Sequence, residues 1–210
     1  MIAKIKGNTI MKIHFVTSNS GKVKSLQNYF DFKGRNDVMV LQMNFNLIEP
    51  QADTVAEVSL SKAKQAFKAL KRPVLVDDSG LCIDALNGFP GVYAKYVYST
   101  IGAEGIVKLM AGEKNRHGQF IGTATYIDEK GKSYQFHRQQ SDIYIADSVS
   151  PINSPLAWSV LWKICRLRGY DKVLSEMTAD EISKYYAKNE LNGTLPLFAN
   201  WFIKNNKKIR

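Results

Sequence analysis

Two aspartates follow directly on a short apolar run, and this junction constrains the fold more than any other feature of the chain. The run is Val74-Leu75-Val76, and the acidic residues are Asp77 and Asp78. An apolar run of this kind predicts a buried strand, and active-site residues in open α/β sheets gather at the carboxyl ends of strands. Adjacent carboxylates repel each other unless a cation lies between them or one of them is neutral. The segment therefore predicts acidic residues at the edge of a sheet, and a turn followed by a helix cap is the competing interpretation.

The first clear strand, residues 13–17, also ends in a polar turn before a predicted amphipathic helix, residues 22–30. The N–H groups and the dipole at the start of a helix favour an anion, Gly21 lets the backbone approach a phosphate, and Lys22 adds a positive charge. The turn lacks the longer glycine-rich loop of a P-loop. It predicts a phosphate cradle of another kind, and an ordinary turn capped by hydroxyl groups is the alternative. The cradle residues are Thr17, Ser18, Asn19, Ser20, Gly21 and Lys22.

Glu49 follows a further apolar run, residues 45–48. Alone it would be unremarkable, but with Asp77 and Asp78 it forms an all-oxygen set. Such a set suits Mg²⁺, which keeps some of its waters and shares substrate phosphates. We therefore expect Glu49, Asp77 and Asp78 as metal ligands and Mg²⁺ as the cofactor, with Mn²⁺ as the alternative. Together with the phosphate cradle, these three carboxylates predict a site for a metal-bound polyphosphate. A nucleotide is the first candidate for that polyphosphate.

Strands and helices alternate along the chain, which predicts an α/β fold. We expect a central mixed twisted sheet flanked by helices, a second antiparallel lobe, and the active site in the cleft between the lobes. Residues 1–10 are expected to be a leader or disordered, residues 11–204 a single two-lobed domain, and residues 205–210 a basic tail. Residues 156–166 fit either a helix or a buried strand. The predicted strands are 13–17, 38–43, 74–76, 119–127, 132–136 and 141–146, and the predicted helices are 22–30, 54–70, 103–110 and 179–188.

Composition narrows the class of partner. The 210 residues suffice for a substantial core, and the net charge of +10 can attract an anionic substrate. No zinc-finger spacing or RNA-binding aromatic signature is present, so we do not expect nucleic acid as a partner. No apolar stretch reaches the roughly 18 residues that cross a bilayer, so we expect no membrane partner. Cys82 and Cys165 lack metal-binding spacing and suit a reducing compartment, which predicts a cytoplasmic protein.

Four segments resemble the inosine triphosphate pyrophosphatase family, the noncanonical purine NTP pyrophosphatases. The family's opening Thr/Ser-x-Asn-x-(Gly/Lys)-Lys motif matches residues 17–22, and its Glu/Asp-Asp-Ser-Gly-Leu motif matches residues 77–81. Its Ala-Leu-x-Gly-x-Pro-Gly-x-Tyr motif matches residues 85–93, and residues 49–54 resemble the archaeal form of its metal-site segment. The resemblance runs from about residue 11 to about residue 126, over half of the chain.

The resemblance implies hydrolysis of a nucleoside triphosphate to a monophosphate and pyrophosphate, in an enzyme that commonly forms homodimers. Asp78 resembles the carboxylate that binds Mg²⁺ and accepts the proton, Glu49 resembles its metal partner, and Asp77 lies nearby or in the second shell. The further substrate-contact positions that the resemblance carries over, beyond the cradle, are Lys62, Ser79 and Lys95.

The C-terminal third departs from the family pattern. The family's aromatic and Asp-Pro base-reading motif has no Asp-Pro counterpart here, although Trp158 or Trp162 could stack on a base or belong to the core. The family's nucleotide-binding Lys falls on Ile182, and its Ser-His-Arg falls on residues 186–188, where Lys188 keeps a charge and is a predicted substrate contact. The polar groups that read a base provide most of the discrimination between bases. The departure therefore predicts an altered base preference.

Three functions remain open from the sequence. The leading one is a Mg²⁺-dependent NTP pyrophosphohydrolase that acts on noncanonical or modified nucleotides such as ITP, XTP or dITP. A pyrophosphohydrolase whose base specificity differs from that of the family is a variant of this function. The second is a catalytically weak relative that binds nucleotides. The third is a basic nucleic-acid-binding protein, whose binding would depend steeply on salt. We favour the first because every metal and phosphate position is retained.

Overall fold

The computed structural model describes the backbone of residues 3–5, 8–151, 159–188 and 193–206, and their side chains except those of residues 3–5, 8–9, 140–142 and 186–188. The strands are β1 (Ala3–Ile5), β2 (Asn8–Val16), β3 (Val38–Met43), β4 (Val74–Ile83), β5 (Pro90–Gly91), β6 (His117–Ile127), β7 (Ser133–Ile145) and β8 (Cys165–Leu167). The helices are α1 (Ser20–Phe32), α2 (Val55–Leu70), α3 (Ala94–Thr100), α4 (Gly102–Leu109), α5 (Ala179–Lys188) and α6 (Thr194–Asn205).

The strands form a mixed sheet, which confirms the predicted α/β class. They are hydrogen-bonded in the order β1-β2-β4-β6-β7-β8, with β3 on β2 and β5 on β4. Strand β2 is parallel to both β3 and β4, whereas β1–β2, β4–β5 and β7–β8 are antiparallel. Parallel pairing requires long crossover connections, and α1 and α2 supply them.

The chain divides into two compact units. The first contains residues up to Asp78 together with 123–137 and 192–210, and the second contains residues 79–122 and 138–191. The expected boundaries at residues 10 and 204, and the expected cleft, stay predictions. In the segment expected to be a leader or disordered, the backbone of β1 pairs with the start of β2.

The core of the first unit is apolar and rich in aromatic rings. Phe15, Leu26 and Phe30 are fully buried between β2 and α1, as the predicted helical spacing requires. Helix α6 packs on α1, where the rings of Phe30 and Phe202 lie 5.9 Å apart, edge to face. The sequence predicted no helix in this part of the chain. Leu195, Phe198 and Phe202 form the buried side of α6.

Side-chain hydrogen bonds cap the first turn of α2. The side chain of Thr54 accepts a hydrogen bond from the backbone N–H of Glu57, and the Glu57 carboxylate accepts one from the backbone N–H of Thr54. This reciprocal capping box satisfies two N–H groups that the first turn leaves without helical partners. Thr54 is therefore the N-cap of α2.

Strand β4 is longer than predicted, and this changes the position of the aspartates. The sequence predicted a strand of residues 74–76 with Asp77 and Asp78 at its end, but β4 continues to Ile83 because Leu81 and Ile83 are also fully buried. The aspartates thus lie within β4. They lie beyond the end of the parallel partner β2, however, since Phe15 pairs with Leu75 and β2 ends at Val16.

The core of the second unit contains two residues that the sequence had considered for base recognition. Trp162 is 6% exposed and Ile182 is 8% exposed, and both pack in this core. Trp162 is therefore a core residue, and Trp158 lies outside the described residues. Within residues 159–166 neither alternative holds throughout, because a 3-10 turn, Val160–Lys163, precedes β8. Helix α3, which the sequence analysis did not predict, also belongs to this unit.

No helix in the described ranges is both long and apolar enough to cross a membrane. Cys82 and Cys165 are free thiols, and Cys165 is completely buried.

Gly80 provides a test of the strand pairing. A Cβ atom at this position would lie 2.2 Å from the carbonyl oxygen of Gly91 in β5, which is backbone and cannot rotate away. We expect Gly80→Ala to lower the free energy of unfolding by about 1–3 kcal/mol, the usual cost of forcing atoms into packed structure. Denaturant unfolding monitored by circular dichroism measures this change.

Gly193→Ala is the matched control, because a Cβ there meets its nearest atom, in Pro196, at 3.6 Å, an ordinary contact. Equal stability of the Gly80→Ala variant and the wild-type protein would contradict the close β4–β5 approach.

Candidate functional site

The turn after β2 is organised by Asn19. Its side-chain oxygen caps α1 by accepting hydrogen bonds from the backbone N–H groups of Gly21 (2.9 Å) and Lys22 (3.3 Å). The backbone N–H of Asn19 in turn donates to the hydroxyl of Thr17 at 3.1 Å. Two of the N–H groups expected to face an anion are thus engaged by the cap. Ser18, Ser20 and Gly21 are exposed, so the surface of the turn remains accessible.

Lys22 reaches from the first turn of α1 to β4. Its ammonium group lies 2.7 Å from a carboxylate oxygen, Oδ2, of Asp77 and donates to the backbone carbonyl of the same residue at 3.2 Å. The other carboxylate oxygen, Oδ1, accepts a hydrogen bond from the hydroxyl of Thr194, the first residue of α6. The side chains of Lys22 and Asp77 are 16% and 6% exposed. This ion pair is therefore mostly shielded from water, which strengthens it relative to a surface pair.

Lys62 forms a second, adjacent cluster. Its ammonium group on α2 lies 2.7 Å from Oδ1 of Asp78 and 3.3 Å from Oε1 of Glu49. One cation therefore holds two carboxylates that are 29 residues apart in the sequence. The structure thus brings together Glu49, Asp78 and the predicted substrate-contact residue Lys62.

Gln65 holds the segment that carries Glu49. The side-chain amide of Gln65 donates to the backbone carbonyl of Ile48 at 2.7 Å and accepts from the N–H of Ile48 at 2.9 Å. Gln65 lies three residues after Lys62 on α2, so both side chains project from one face of the helix. The segment has no strand of its own, and the side chain of Ile48 is exposed. This pair of hydrogen bonds joins the segment to α2.

The electrostatics of Asp78 differ from those of an ordinary surface aspartate. Burial raises the pKa of its carboxyl group, and the charges of Lys62 and Lys22 oppose this effect without cancelling it. Its second oxygen, Oδ2, is buried and has no hydrogen-bond partner within the described part of the protein. For Lys62, burial alone would lower the pKa, but Asp78 and Glu49 raise it above its usual value. Asp78 therefore retains an unused acceptor atom in a partly dehydrated position.

Other predicted site residues belong to the second unit or lie outside the described set. Ser79 and Lys95 belong to the second unit, where both are exposed. The side chain of Lys188 is outside the described set. Within the described ranges, no group of three or more His, Cys, Asp or Glu side chains has the geometry to hold a metal ion. The assignment of Glu49, Asp77 and Asp78 as ligands therefore stays a prediction.

Sequence reasoning missed two residues that shape this site. Thr194 is 117 residues from Asp77. The sequence predicted no helix at Thr194, and a lone threonine carries no signal of a distant partner. Gln65 had a weak signal, because its spacing of three from Lys62 places it on the same helical face. Both contacts depend on tertiary packing, which a local pattern does not encode.

Similarity to known proteins extends over most of the chain. A model of the Ham1 family matches residues 13–149. A relative from Thermococcus kodakarensis named dITP/XTP pyrophosphatase is 36% identical over 204 residues, which cover 94% of this chain and all of the relative. A Pyrococcus horikoshii relative of the same name is 42% identical over 127 residues, which cover 60% of this chain and 66% of the relative.

Solved structures show the same fold at low sequence identity. The HAM1 protein of Coxiella burnetii has a TM-score of 0.73 at 20% identity and is covered completely by 93% of this chain. The Ham1 protein of Staphylococcus aureus has a TM-score of 0.72 at 21% identity, with the same coverage. Since the family model matches well over half of the chain and one relative aligns along its whole length, the resemblance seen in the sequence is confirmed, and the chain belongs to the Ham1 family.

Proposed function

We propose that this protein is a metal-dependent nucleoside-triphosphate pyrophosphohydrolase. Its substrates are noncanonical purine nucleotides of the ITP, XTP or dITP type, and its products are the nucleoside monophosphate and pyrophosphate. The names of the relatives from Thermococcus kodakarensis and Pyrococcus horikoshii, at 36% and 42% identity, support this substrate class. The activity predicted from the sequence motifs is the same.

One observation carries the proposal. Two neighbouring residues of β4, Asp77 and Asp78, each hold a lysine from a different helix, Lys22 at 2.7 Å and Lys62 at 2.7 Å. Two ammonium groups are thereby fixed beside a buried carboxylate that keeps one oxygen without a partner. A triphosphate requires cations around its leaving group and a base beside its attacking water, and this arrangement supplies both.

Each residue has a defined part in the proposed reaction. Water attacks the α-phosphorus, the bond from that phosphorus to the oxygen bridging the α- and β-phosphates breaks, and pyrophosphate leaves. Asp78 orients the water and accepts its proton, for which the raised pKa of its carboxyl group makes it a stronger base. Lys22 and Lys62 stabilise the negative charge on the phosphate oxygens. The turn of residues 17–22 and Ser79, Lys95 and Lys188 are the proposed further contacts to the nucleotide.

The donor atoms fit a magnesium ion. Glu49 and Asp78 already face one cation, the Lys62 ammonium group, and Oδ2 of Asp78 is a buried acceptor without a partner. Mg²⁺ typically binds to proteins through one or two carboxylates plus substrate phosphates and water, so a pair of carboxylates is sufficient. When bound, Mg²⁺ or Mn²⁺ would lower the pKa of a bound water and offset charge on the phosphate.

Base recognition is proposed to differ from that of the family pattern. Ile182, at the position of the family's nucleotide-binding lysine, is buried in the core of the second unit. Trp162 is buried in the same core. Neither residue therefore provides a polar group that reads a purine edge, which supports a broader base preference.

The proposal includes a cellular location and an oligomeric state. The free thiols Cys82 and Cys165 support a cytoplasmic location, because disulfides are rare in reducing compartments. A homodimer is proposed from the sequence resemblance alone. Sedimentation equilibrium of the purified protein would decide it, since a monomer mass at micromolar concentration would contradict the proposal.

A pyrophosphate-release assay tests the function. We expect the purified protein to release pyrophosphate from at least one of ITP, XTP and dITP in the presence of Mg²⁺, and to lose this activity in excess chelator. The panel includes the standard NTPs as a reference for base preference. No release from any nucleotide would contradict the proposal. Mg²⁺-dependent binding without release would indicate a nucleotide-binding relative, and salt-sensitive polynucleotide binding that persists in Asp78→Asn would indicate a nucleic-acid-binding protein.

Asp78→Asn is expected to abolish turnover without lowering the free energy of unfolding. The amide cannot accept the proton, and because burial disfavours the ionised carboxylate, removing its charge costs the fold little. Lys62 keeps Glu49 as a partner. Steady-state kinetics and denaturant unfolding measure the two effects. The control is Asp180→Asn, an exposed pair with Lys184, which should retain full activity; a clear loss of stability in Asp78→Asn would contradict our interpretation of its electrostatics.

The pH profile of Lys62→Met provides an independent check. Activity falls on the acid side as Asp78 becomes protonated, and Lys62 lowers the pKa of that carboxyl group through its charge and its hydrogen bond. Without Lys62 this pKa rises further, so the acid limb of kcat/KM is expected to move to higher pH. Lys64→Met, at an exposed position on the same helix, is the control. An acid limb at unchanged or lower pH would refute the assigned coupling between Lys62 and Asp78.

A further inference from the structure

Three residues from distant parts of the chain form a relay of contacts at the proposed phosphate site. Thr194 donates a hydrogen bond to Oδ1 of Asp77, and Oδ2 of Asp77 pairs with the ammonium group of Lys22 at 2.7 Å. Lys22 also donates to the backbone carbonyl of Asp77 at 3.2 Å. Both carboxylate oxygens of Asp77 are therefore engaged, whereas the neighbouring Asp78 keeps Oδ2 without a partner.

The residues of the relay are mostly shielded from water. Thr194 is buried, the side chain of Asp77 is 6% exposed, and that of Lys22 is 16% exposed. A partner on each oxygen of a carboxylate restricts rotation about its Cβ–Cγ bond more than one partner does. Thr194 holds one oxygen, and this fixes the direction in which the other presents its charge to Lys22. Hydrogen bonds to a charged group are among the stronger ones in proteins.

Helix α6 supplies the anchor. Thr194 is its first residue, and α6 packs on α1, the helix that carries Lys22, through Phe30 and Phe202. The hydroxyl of Tyr29 on α1 also donates to the side chain of Asn200 on α6 at 3.1 Å. The two ends of the relay therefore lie on helices that are packed together, so the position of Thr194 relative to Lys22 is fixed by the core.

We infer that Thr194 and Asp77 are positioning residues that hold the Lys22 ammonium group in the place where it meets the phosphates of the substrate. The ligand in this inference rests on the proposed function, whereas the contacts do not. For Asp77 to bind a metal ion instead, its oxygens would have to give up or share these two partners. Oδ2 of Asp78 is the acceptor atom without a partner. The two adjacent aspartates therefore have separate roles: Asp77 positions Lys22, and in the proposed reaction Asp78 faces the metal ion and the attacking water.

The direct test measures how firmly Lys22 is held. Purified wild-type, Thr194→Val and Thr194→Ser proteins are labelled for short times with an amine-reactive acylating reagent, and mass spectrometry of the peptides gives the rate at each lysine. Valine keeps the volume of threonine but lacks its hydroxyl, whereas serine keeps the hydroxyl. Lys24, exposed on the same helix, is the internal reference.

We expect Lys22 to be labelled faster relative to Lys24 in Thr194→Val and at the wild-type ratio in Thr194→Ser. A merely structural role of Thr194 in α6 would leave this ratio unchanged once both proteins are shown to be folded. An unchanged ratio in Thr194→Val overturns the inference.

A second measurement links the relay to the ligand. We expect the affinity for inorganic pyrophosphate, measured by calorimetry with Mg²⁺ present, to fall about tenfold in Thr194→Val, the equivalent of losing one hydrogen bond to a charged group. The same variant should show a higher KM with kcat changed less. In an Asp77→Asn background the Thr194→Val change should have little further effect, since it acts through Asp77.

The outcomes separate this inference from the proposed function. If the wild-type protein hydrolyses nucleotides but Thr194→Val binds pyrophosphate as tightly as wild type, the inference is overturned and the function stands. If the wild-type protein hydrolyses none of the panel, the proposed function fails, and the Lys22 labelling ratio still decides whether Thr194 positions that lysine.

Discussion

The pairing of two adjacent aspartates with two lysines is the constraint on which the candidate site depends. Asp77 and Asp78 are neighbours on β4, and their side chains would repel each other if both were ionised and alone. Lys22 from α1 and Lys62 from α2 each neutralise one of them at 2.7 Å. The site therefore requires that both helices be docked on the sheet, which couples its formation to the core of the first unit.

The sheet decides where this charge cluster lies. Strand β2 ends at Val16 while β4 continues, so the aspartates extend past the end of their parallel neighbour. The turn after β2 begins at the same level, and its cap residue Asn19 starts α1 in the direction that brings Lys22 back to Asp77. Active-site residues of α/β sheets gather beyond the carboxyl ends of parallel strands, and the aspartates lie beyond the end of β2.

Local patterns predicted the parts of this protein that local physics controls. The helix predicted over residues 54–70 depends on contacts between neighbours three or four residues apart, and the structure confirms it as α2. The predicted length of β4 was wrong. The prediction ended the strand before the charged pair, whereas the buried residues Leu81 and Ile83 extend it. Charged residues inside a strand are costly unless lysines from elsewhere compensate them, and those lysines were not assignable to Asp77 and Asp78 from periodicity.

The sequence by itself determined the fold class, the acidic pair, the polar turn and the resemblance to one family, because motifs and hydrophobic periodicity are written in contiguous residues. Only the tertiary structure decided that Lys62 joins Glu49 to Asp78, that Gln65 holds the segment carrying Glu49, and that Thr194 reaches Asp77. These contacts join residues 13 to 117 positions apart. Their partners are selected by the packing of helices on the sheet, which no local pattern specifies.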